Sequence, residues 1–160
     1  MDWSALLLKL AHVVLALAMV SGLLGRWILL SRAARTDDVE RAHTLAEAAS
    51  PFERIVQVVS PIVVLFGLIT AWAQGYPWLG LTTGWMLLTV LLIIPILVAI
   101  PTIFLPRGRV FEAEMTAARA AGAVTPGLRA AWGDPAVAIA RRYELAAFAI
   151  IVALMVLKPF

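Results

Sequence analysis

The sequence predicts an all-α integral membrane protein, built as an antiparallel bundle of four transmembrane helices. Of its 160 residues, 62% are hydrophobic and only 14% are charged, which is far from the balance of soluble domains. No charged residue occurs from Ile55 to Pro106, and this interval is long enough to cross a hydrocarbon core of about 30 Å twice. We therefore expect a single integral membrane domain over residues 1–160.

Four apolar segments define the predicted spans. The first three are each longer than the roughly 20 residues that a membrane helix needs. The fourth is uninterrupted only from Leu145 to Leu157 and must include the turns before it. Asp134 and Pro135 supply its start, because an N-cap acceptor followed by proline is a helix-initiation signal. The predicted spans cover about 4–30, 52–73, 80–105 and 136–158.

Basic residues fall almost entirely on one side of these spans. Eleven of the 13 Lys and Arg residues lie in or beside the two long loops, and only Lys9 and Lys158 lie on the other side. Because the cytoplasmic loops of membrane proteins carry the excess of basic residues, both long loops are predicted to be cytoplasmic and both termini outside.

The first long loop is predicted to contain a short cytoplasmic helix. Thr36 or Asp37 is expected to cap this helix, which would end near Ala49. The sequence Ser-Pro-Phe-Glu at 50–53 matches a capping box with proline at the first helical position. We therefore expect span two to begin at this box as a separate helix.

The second long loop is predicted to contain a charged helix over about 109–121. Gly122 should end this helix, and a short turn should follow from Thr125 and Pro126. At the start of span four, Arg141 and Arg142 are expected to extend toward the lipid–water interface.

Span one contains ionisable side chains in an otherwise apolar helix. Such a group near the centre of a bilayer costs about 2.5–3.5 kcal/mol. At 100° per residue, Lys9, His12 and Arg26 share one face. Beside that face runs a strip of small residues suited to close helix approach: Ala11, Ala18, Gly22 and Gly25. The polar face is therefore predicted to point into the bundle.

Depth in the bilayer predicts an ion pair between spans one and four. Arg26 lies about one turn inside the cytoplasmic boundary of span one, and Glu144 about one and a half turns inside that of span four. Pairing would compensate two intramembrane charges. We predict a buried polar network of Lys9, Arg26, Tyr143 and Glu144, which either locks helix packing or forms a working surface.

His12 is a candidate cofactor ligand and metal ligand. Met86 of span three and Met155 of span four lie at similar depths, and imidazole with thioether sulfur suits haem iron or copper(I). The cofactor would be haem b or copper. Two interpretations stay open beside this one: a proton-handling or substrate-contacting role, and a packing histidine bonded to a carbonyl. His43 is expected to be a solvated residue of the cytoplasmic loop.

Several function classes find no support in the sequence. The lack of cysteine excludes disulfides and thiolate metal sites. The net charge of +3 is explained by basic residues that flank spans, so no nucleic-acid partner is expected. Nucleotide-binding glycine motifs, zinc-hydrolase motifs and a Ser–His–carboxylate pattern are missing. An enzyme is therefore the less favoured class.

Nearly the whole chain resembles a bacterial family of predicted four-helix integral membrane proteins of unassigned function, the DUF2269-like proteins. The resemblance is carried by KLAHVVLALAMVSGLLGRWILLSRAARTDD, PRGR at 106–109, VTPGLR at 124–129 and DPAVAIARRYELAAFAIIVALMVLKPF. More distantly, Lys9 and His12 followed by Gly22 and Arg26 are similar to the first helix of HemJ-type protoporphyrinogen oxidases and CopD-type copper-related membrane proteins. The HemJ resemblance implies haem or porphyrin handling by Lys9, His12 and Arg26.

The sequence thus predicts a small multi-pass protein of the bacterial cytoplasmic (inner) membrane. We expect a redox-associated or haem- or metal-associated role in the lipid bilayer, in a homo-oligomer or as a subunit of a larger membrane complex. One alternative is a structural or assembly protein whose buried polar groups only fix helix packing. Another is a conduit for protons or metal that works as a dimer.

Overall fold

The computed structural model describes residues 3–159, and these residues form six α-helices joined by short turns. No strand occurs in this range. The all-helical fold class is therefore confirmed. The elements are α1 (Trp3–Ala33), α2 (Val39–Ala73), a 3-10 turn (Pro77–Gly80), α3 (Gly84–Ala99), a π-helical turn (Ile100–Phe104), α4 (Leu105–Ala121), α5 (Pro126–Trp132) and α6 (Pro135–Leu157).

Two helical segments are much longer than a bilayer is thick. Helix α2 has 35 residues, or about 52 Å, and α3, the π turn and α4 follow one another without a break over the 38 residues of Gly84–Ala121. Both segments therefore extend beyond a hydrocarbon core of about 30 Å.

The predicted break before span two is wrong, because α2 passes through Ser50 and Pro51 without interruption. Its N-cap is Asp38, one residue beyond the predicted Asp37, and the Asp38 Oδ1 accepts from the backbone N–H groups of Glu40 at 3.0 Å and Arg41 at 3.2 Å. A proline inside a helix costs about 3 kcal/mol. The packing of α2 along its whole length outweighs that local cost.

Three other predicted helix boundaries are confirmed. Gly122 ends α4 with φ of 66°, in the left-handed region that favours glycine. The Thr125 hydroxyl accepts from the N–H of Leu128 and starts α5. Asp134 caps α6, with Pro135 at its first helical position. However, the charged helix of the second loop begins at Leu105 as a continuation of α3 and does not stand alone.

One apolar core joins four helices. It contains residues of α1 (Met19, Leu23), α2 (Val56), α3 (Ile93, Ile96) and α6 (Ala147, Phe148, Ile151). Within residues 3–159, three helical segments are long and apolar enough to cross a membrane: α1, α2 and Gly84–Ala121. The first half of α6 carries Arg141, Arg142 and Glu144, and the four-span count stays a prediction.

A second apolar cluster packs the ends of the two long segments together. It contains Val39 and Ala42 of α2, Met115 and Ala118 of α4, and Leu128 of α5. An ion pair reinforces it, with Arg119 Nε donating to Glu40 Oε1 at 3.1 Å. We call this unit the cap, which comprises residues 39–50 of α2, 105–121 of α4 and 126–132 of α5.

The small residues of α1 allow close contact with α2, as predicted for Gly22 and Gly25. A Cβ at Gly22 would lie 3.0 Å from a methyl group of Val56, and one at Gly25 would lie 2.5 Å from the ring of Phe52. This approach holds α1 against α2 next to Arg26.

Candidate functional site

Arg26 and Glu144 form the predicted ion pair. Arg26 Nη2 donates to Glu144 Oε2, and the two residues are 6% and 1% exposed. The pair joins α1 to α6 at the end of the core that faces the cap. The structure therefore brings together the two side chains that the depth argument paired.

Two other residues of the predicted polar network lie apart from this pair. The Tyr143 hydroxyl donates to the Leu92 carbonyl oxygen at 2.9 Å and thereby joins α6 to α3. Lys9 is exposed, about 25 Å along α1 from Arg26, so the prediction that the bundle buries it is wrong. A lysine near a helix end can extend its ammonium group to the lipid–water interface. The charge then stays hydrated and needs no partner inside the bundle.

His12 is held between α1 and α2. Its Nδ1 lies 3.0 Å from the Val63 carbonyl oxygen, and a Cβ at Gly67 would lie 3.0 Å from its Cε1. The Met86 sulfur packs against Gly80, and Met155 packs on the apolar core. Residues 3–159 contain no group of three or more His, Asp or Glu side chains arranged to hold a metal. Ligation by His12, Met86 and Met155 stays a prediction.

A cavity of about 620 Å³ lies where the cap meets the core, and we call it the junction cavity. Side chains from α1, α2, the π turn, α4, α5 and α6 line it. Its apolar wall includes Leu30, Val56, Ile100, Phe104, Leu105 and Val137. Its polar wall includes Arg26, Glu53, Glu112, Trp132 and Arg141.

Four charged side chains from three helices converge beside this cavity. Arg26 interacts electrostatically with Glu53 and Arg141, in addition to its ion pair with Glu144. Glu53 also lies within electrostatic reach of Glu112 on α4. The four side chains of Arg26, Glu53, Arg141 and Glu144 form what we call the charged cluster. Their formal charges cancel when all four are ionised.

Three N–H donors at the junction cavity are buried without a hydrogen-bond partner in the described part of the chain. They are the Nε groups of Arg26 and Arg141 and the indole Nε1 of Trp132. The Glu144 Oε1 is an acceptor in the same condition. Buried polar atoms almost always have a protein, water or ligand partner. The partners of these donors are therefore ordered waters or a bound group.

The π-helical turn supplies one wall of the site. Its Phe104 ring lies under the Arg26 guanidinium, with 5.0 Å from Cζ to the ring centroid, which is a cation–π distance. Pro101 lacks an N–H donor, which disturbs the regular α-helical bonding here. Short π-helical segments occur often at functional sites.

Sequence reasoning missed Glu53, Trp132 and Arg141. The depth argument that paired Arg26 with Glu144 applies equally to Glu53, near the start of span two, and to Arg141, one turn before Glu144. Arg141 was expected to extend to the interface, but it lines the cavity with its Nε buried. No sequence pattern marked Trp132 as a site residue, because it reaches the junction cavity only through the packing of α5 on α4.

His43 was expected to be a solvated loop residue, and this prediction is wrong. It is half-buried on α2 and lines the junction cavity. Its Nε2 lies 3.3 Å from Arg119 Nη1 and 3.6 Å from Glu47 Oε1. The segment predicted to be a loop is the first part of α2, and the other helices of the cap cover one side of His43.

The three long apolar segments, together with the buried ion pair, define this chain as a helical integral membrane protein. The family model described as "Predicted integral membrane protein (DUF2269)" matches residues 6–159. The chain therefore belongs to the DUF2269 family. No curated protein and no solved structure matches it. The resemblance to HemJ-type and CopD-type proteins is not shown by these comparisons.

Proposed function

We propose that this chain is a four-span ligand-binding protein of the bacterial inner membrane. Its junction cavity would hold a small amphipathic molecule whose polar end carries acceptor oxygens. The observation that carries the proposal is the set of three buried N–H donors, on Arg26, Trp132 and Arg141, that lack partners at one cavity. A ligand with acceptor oxygens supplies what these donors lack.

The shape and lining of the cavity support an amphipathic ligand. A volume of about 620 Å³ lies within the range of about 300–1,000 Å³ for small-molecule sites. Such sites combine apolar walls with a few well-placed polar groups. Here Ile100, Phe104 and Leu105 provide apolar contacts beside the guanidinium of Arg26.

Contacts at both ends of α6 support its role as the fourth span. At the first end, Arg107 Nε at the start of α4 donates to Asp134 Oδ2 at 3.0 Å. At the other end, Lys158 Nζ lies 5.5 Å from the ring centroid of Trp85 in α3. The 23 residues of α6 extend about 35 Å, enough for the hydrocarbon core. With both termini outside, as the basic residues favour, the cap and the junction cavity face the cytoplasm.

Binding of a ten-carbon sulfonate tests the proposal. We would titrate decanesulfonate into the protein in phosphatidylcholine nanodiscs by calorimetry, and subtract the heats from empty nanodiscs. Decyltrimethylammonium has the same chain length but no acceptor oxygen. We expect saturable binding of decanesulfonate and none of decyltrimethylammonium.

Two matched variants locate the binding. Arg141→Gln should weaken decanesulfonate binding by about tenfold or more, because a hydrogen bond to a charged group contributes roughly 1.5–3 kcal/mol. Arg142→Gln changes the exposed neighbour and should leave the affinity unchanged. Heats equal to those of empty nanodiscs, or equal losses in the two variants, would contradict the proposal.

One observation favours a second candidate function, cofactor binding at His12. An imidazole whose Nδ1 is bonded to a backbone carbonyl has its Nε2 available for a metal, and metal-ligating histidines commonly have this arrangement. This candidate predicts a Soret band or bound copper in the purified protein, lost in His12→Ala. A colourless, metal-free protein would contradict it. A homo-oligomer or a larger membrane complex stays a prediction from the sequence.

A further inference from the structure

The charge balance of the charged cluster limits what the junction cavity can hold. Arg26 and Arg141 contribute two positive charges, and Glu53 and Glu144 contribute two negative charges. A monoanion placed against the two guanidinium groups would leave this partly buried site with a net negative charge. Buried charge without compensation is costly, and proteins commonly avoid it by a change in protonation.

The other charged groups of the cavity wall offer little compensation. Arg107 is bound by Asp134 and Arg119 by Glu40, while Arg109 is exposed to solvent. The remaining titratable groups that line the cavity are His43, Glu47 and Glu112. The Nε2 atom of His43 lies 3.3 Å from Arg119 Nη1 and 3.6 Å from Glu47 Oε1, so this ring nitrogen already has close polar neighbours.

Glu53 is the carboxylate best placed to take up a proton. Glu144 accepts directly from Arg26 and is 1% exposed, whereas Glu53 is half-buried, lines the cavity and forms no ion pair within residues 3–159. The groups that act on it are Arg26 of α1, Arg141 of α6 and the like charge of Glu112 on α4. An anion bound by the same two arginines would add a second like charge beside Glu53.

We infer that the ligand of the junction cavity is an amphipathic monoanion and that it binds together with one proton, which the Glu53 carboxylate takes up from solvent. This inference rests on the proposed function. The anion contributes its acceptor oxygens to Arg26, Arg141 and Trp132, and the proton on Glu53 keeps the charge of the site at zero. Binding of the monoanion therefore weakens as the pH rises, even when the ligand itself does not titrate.

Proton uptake on binding tests the inference directly. Decanesulfonate suits the test because its charge stays constant between pH 5 and 9. Its binding to the protein in phosphatidylcholine nanodiscs would be measured at pH 7.5 in phosphate and in Tris, two buffers whose ionisation enthalpies differ. The difference in binding heat gives the number of protons taken up. We expect about one proton per ligand, and an affinity that falls about tenfold per pH unit above neutrality.

Variants at two glutamates identify the proton acceptor. Glu53→Gln should bind decanesulfonate with about the same or higher affinity, with no proton uptake and no pH dependence. Glu53→Asp keeps a carboxylate and should keep the uptake. Glu47→Gln is the matched control on the same helix and the same cavity wall, and it should retain the uptake of about one proton.

The outcomes separate this inference from the proposed function. Saturable binding without proton uptake in the wild-type protein overturns the inference alone, as does uptake that persists in Glu53→Gln. No binding in any variant overturns the proposed function, and the inference falls with it. Competition by phosphatidylglycerol added to the nanodiscs would assign the acid to a lipid head group, and its absence would assign it to a free amphiphile. Either source supports the inference.

Discussion

The substitution Glu144→Gln removes one charge from the buried ion pair while it preserves the shape of the side chain. In the wild-type structure, Arg26 Nη2 donates to Glu144 Oε2, and both residues are almost completely buried. After the substitution, the guanidinium of Arg26 loses its direct ionic partner. We expect a clear loss of stability rather than a change in fold.

The size of the loss follows from burial. Removing one partner of a buried ion pair costs about 3–5 kcal/mol, which is two to four orders of magnitude in the unfolding equilibrium. Glu53 lies within electrostatic reach of Arg26 and offsets part of the loss. We therefore expect about 3 kcal/mol, at the lower end of this range. Replacing both partners, as in Arg26→Met with Glu144→Met, should cost about 1 kcal/mol or less, because both charges of the buried pair are removed together.

Equilibrium unfolding in mixed micelles of lipid and detergent measures these differences, with tryptophan fluorescence as the signal. Arg142→Gln is the matched control, since this residue is exposed, and it should change the free energy of unfolding by less than about 0.5 kcal/mol. A loss below about 1 kcal/mol for Glu144→Gln, or a double variant less stable than the single one, would refute the reasoning.

Two further predictions concern helix contacts. Gly25→Ala should destabilise the protein by about 1–3 kcal/mol, because its Cβ would lie 2.5 Å from the Phe52 ring. Gly108→Ala is the control, since its Cβ meets nothing within 4 Å, and it should be neutral or stabilising. Equal unfolding midpoints for the two variants would contradict this prediction. The hydrogen bond from the Val137 N–H, with the salt bridge from Arg107, lowers the pKa of Asp134. The ionised Asp134 carboxylate therefore contributes its full stabilisation above the pKa of an unfolded aspartate, about 3.9. This stabilisation is lost as the pH falls through the lower pKa that Asp134 has in the folded protein. Asp134→Asn should remove that part of the acid dependence in a pH-resolved unfolding series, and an unchanged profile would contradict the assignment.

The parts of the fold that depend on local signals could be predicted from the sequence. Apolar length identified the three long helical segments, and the caps at Gly122, Thr125 and Asp134 follow from side-chain and backbone chemistry within one turn. The Arg26–Glu144 pair was also predictable, because helix rise fixes depth and antiparallel neighbours bring equal depths together.

The cap and the junction cavity could not be predicted in the same way. Ser50 and Pro51 match a helix start, but the packing of Ala42 and Val39 against α4 and α5 keeps α2 continuous through them. The continuous helix then turns Glu53 toward Arg26 and Arg141. Local pattern therefore gave the wrong boundary here, because tertiary contacts decided between two locally acceptable conformations.

Photo-crosslinking provides the most direct test of the central claim, which is that the junction cavity binds an amphipathic acid. A decanesulfonate with a diazirine in its alkyl chain would be activated in nanodiscs that contain the protein, and labelled residues would be identified by mass spectrometry. The account predicts labels at Ile100, Phe104, Leu105 and Val137, suppressed by excess unlabelled decanesulfonate. Labels confined to outward-facing residues of α1 such as Val13 and Leu17, without competition, would contradict it.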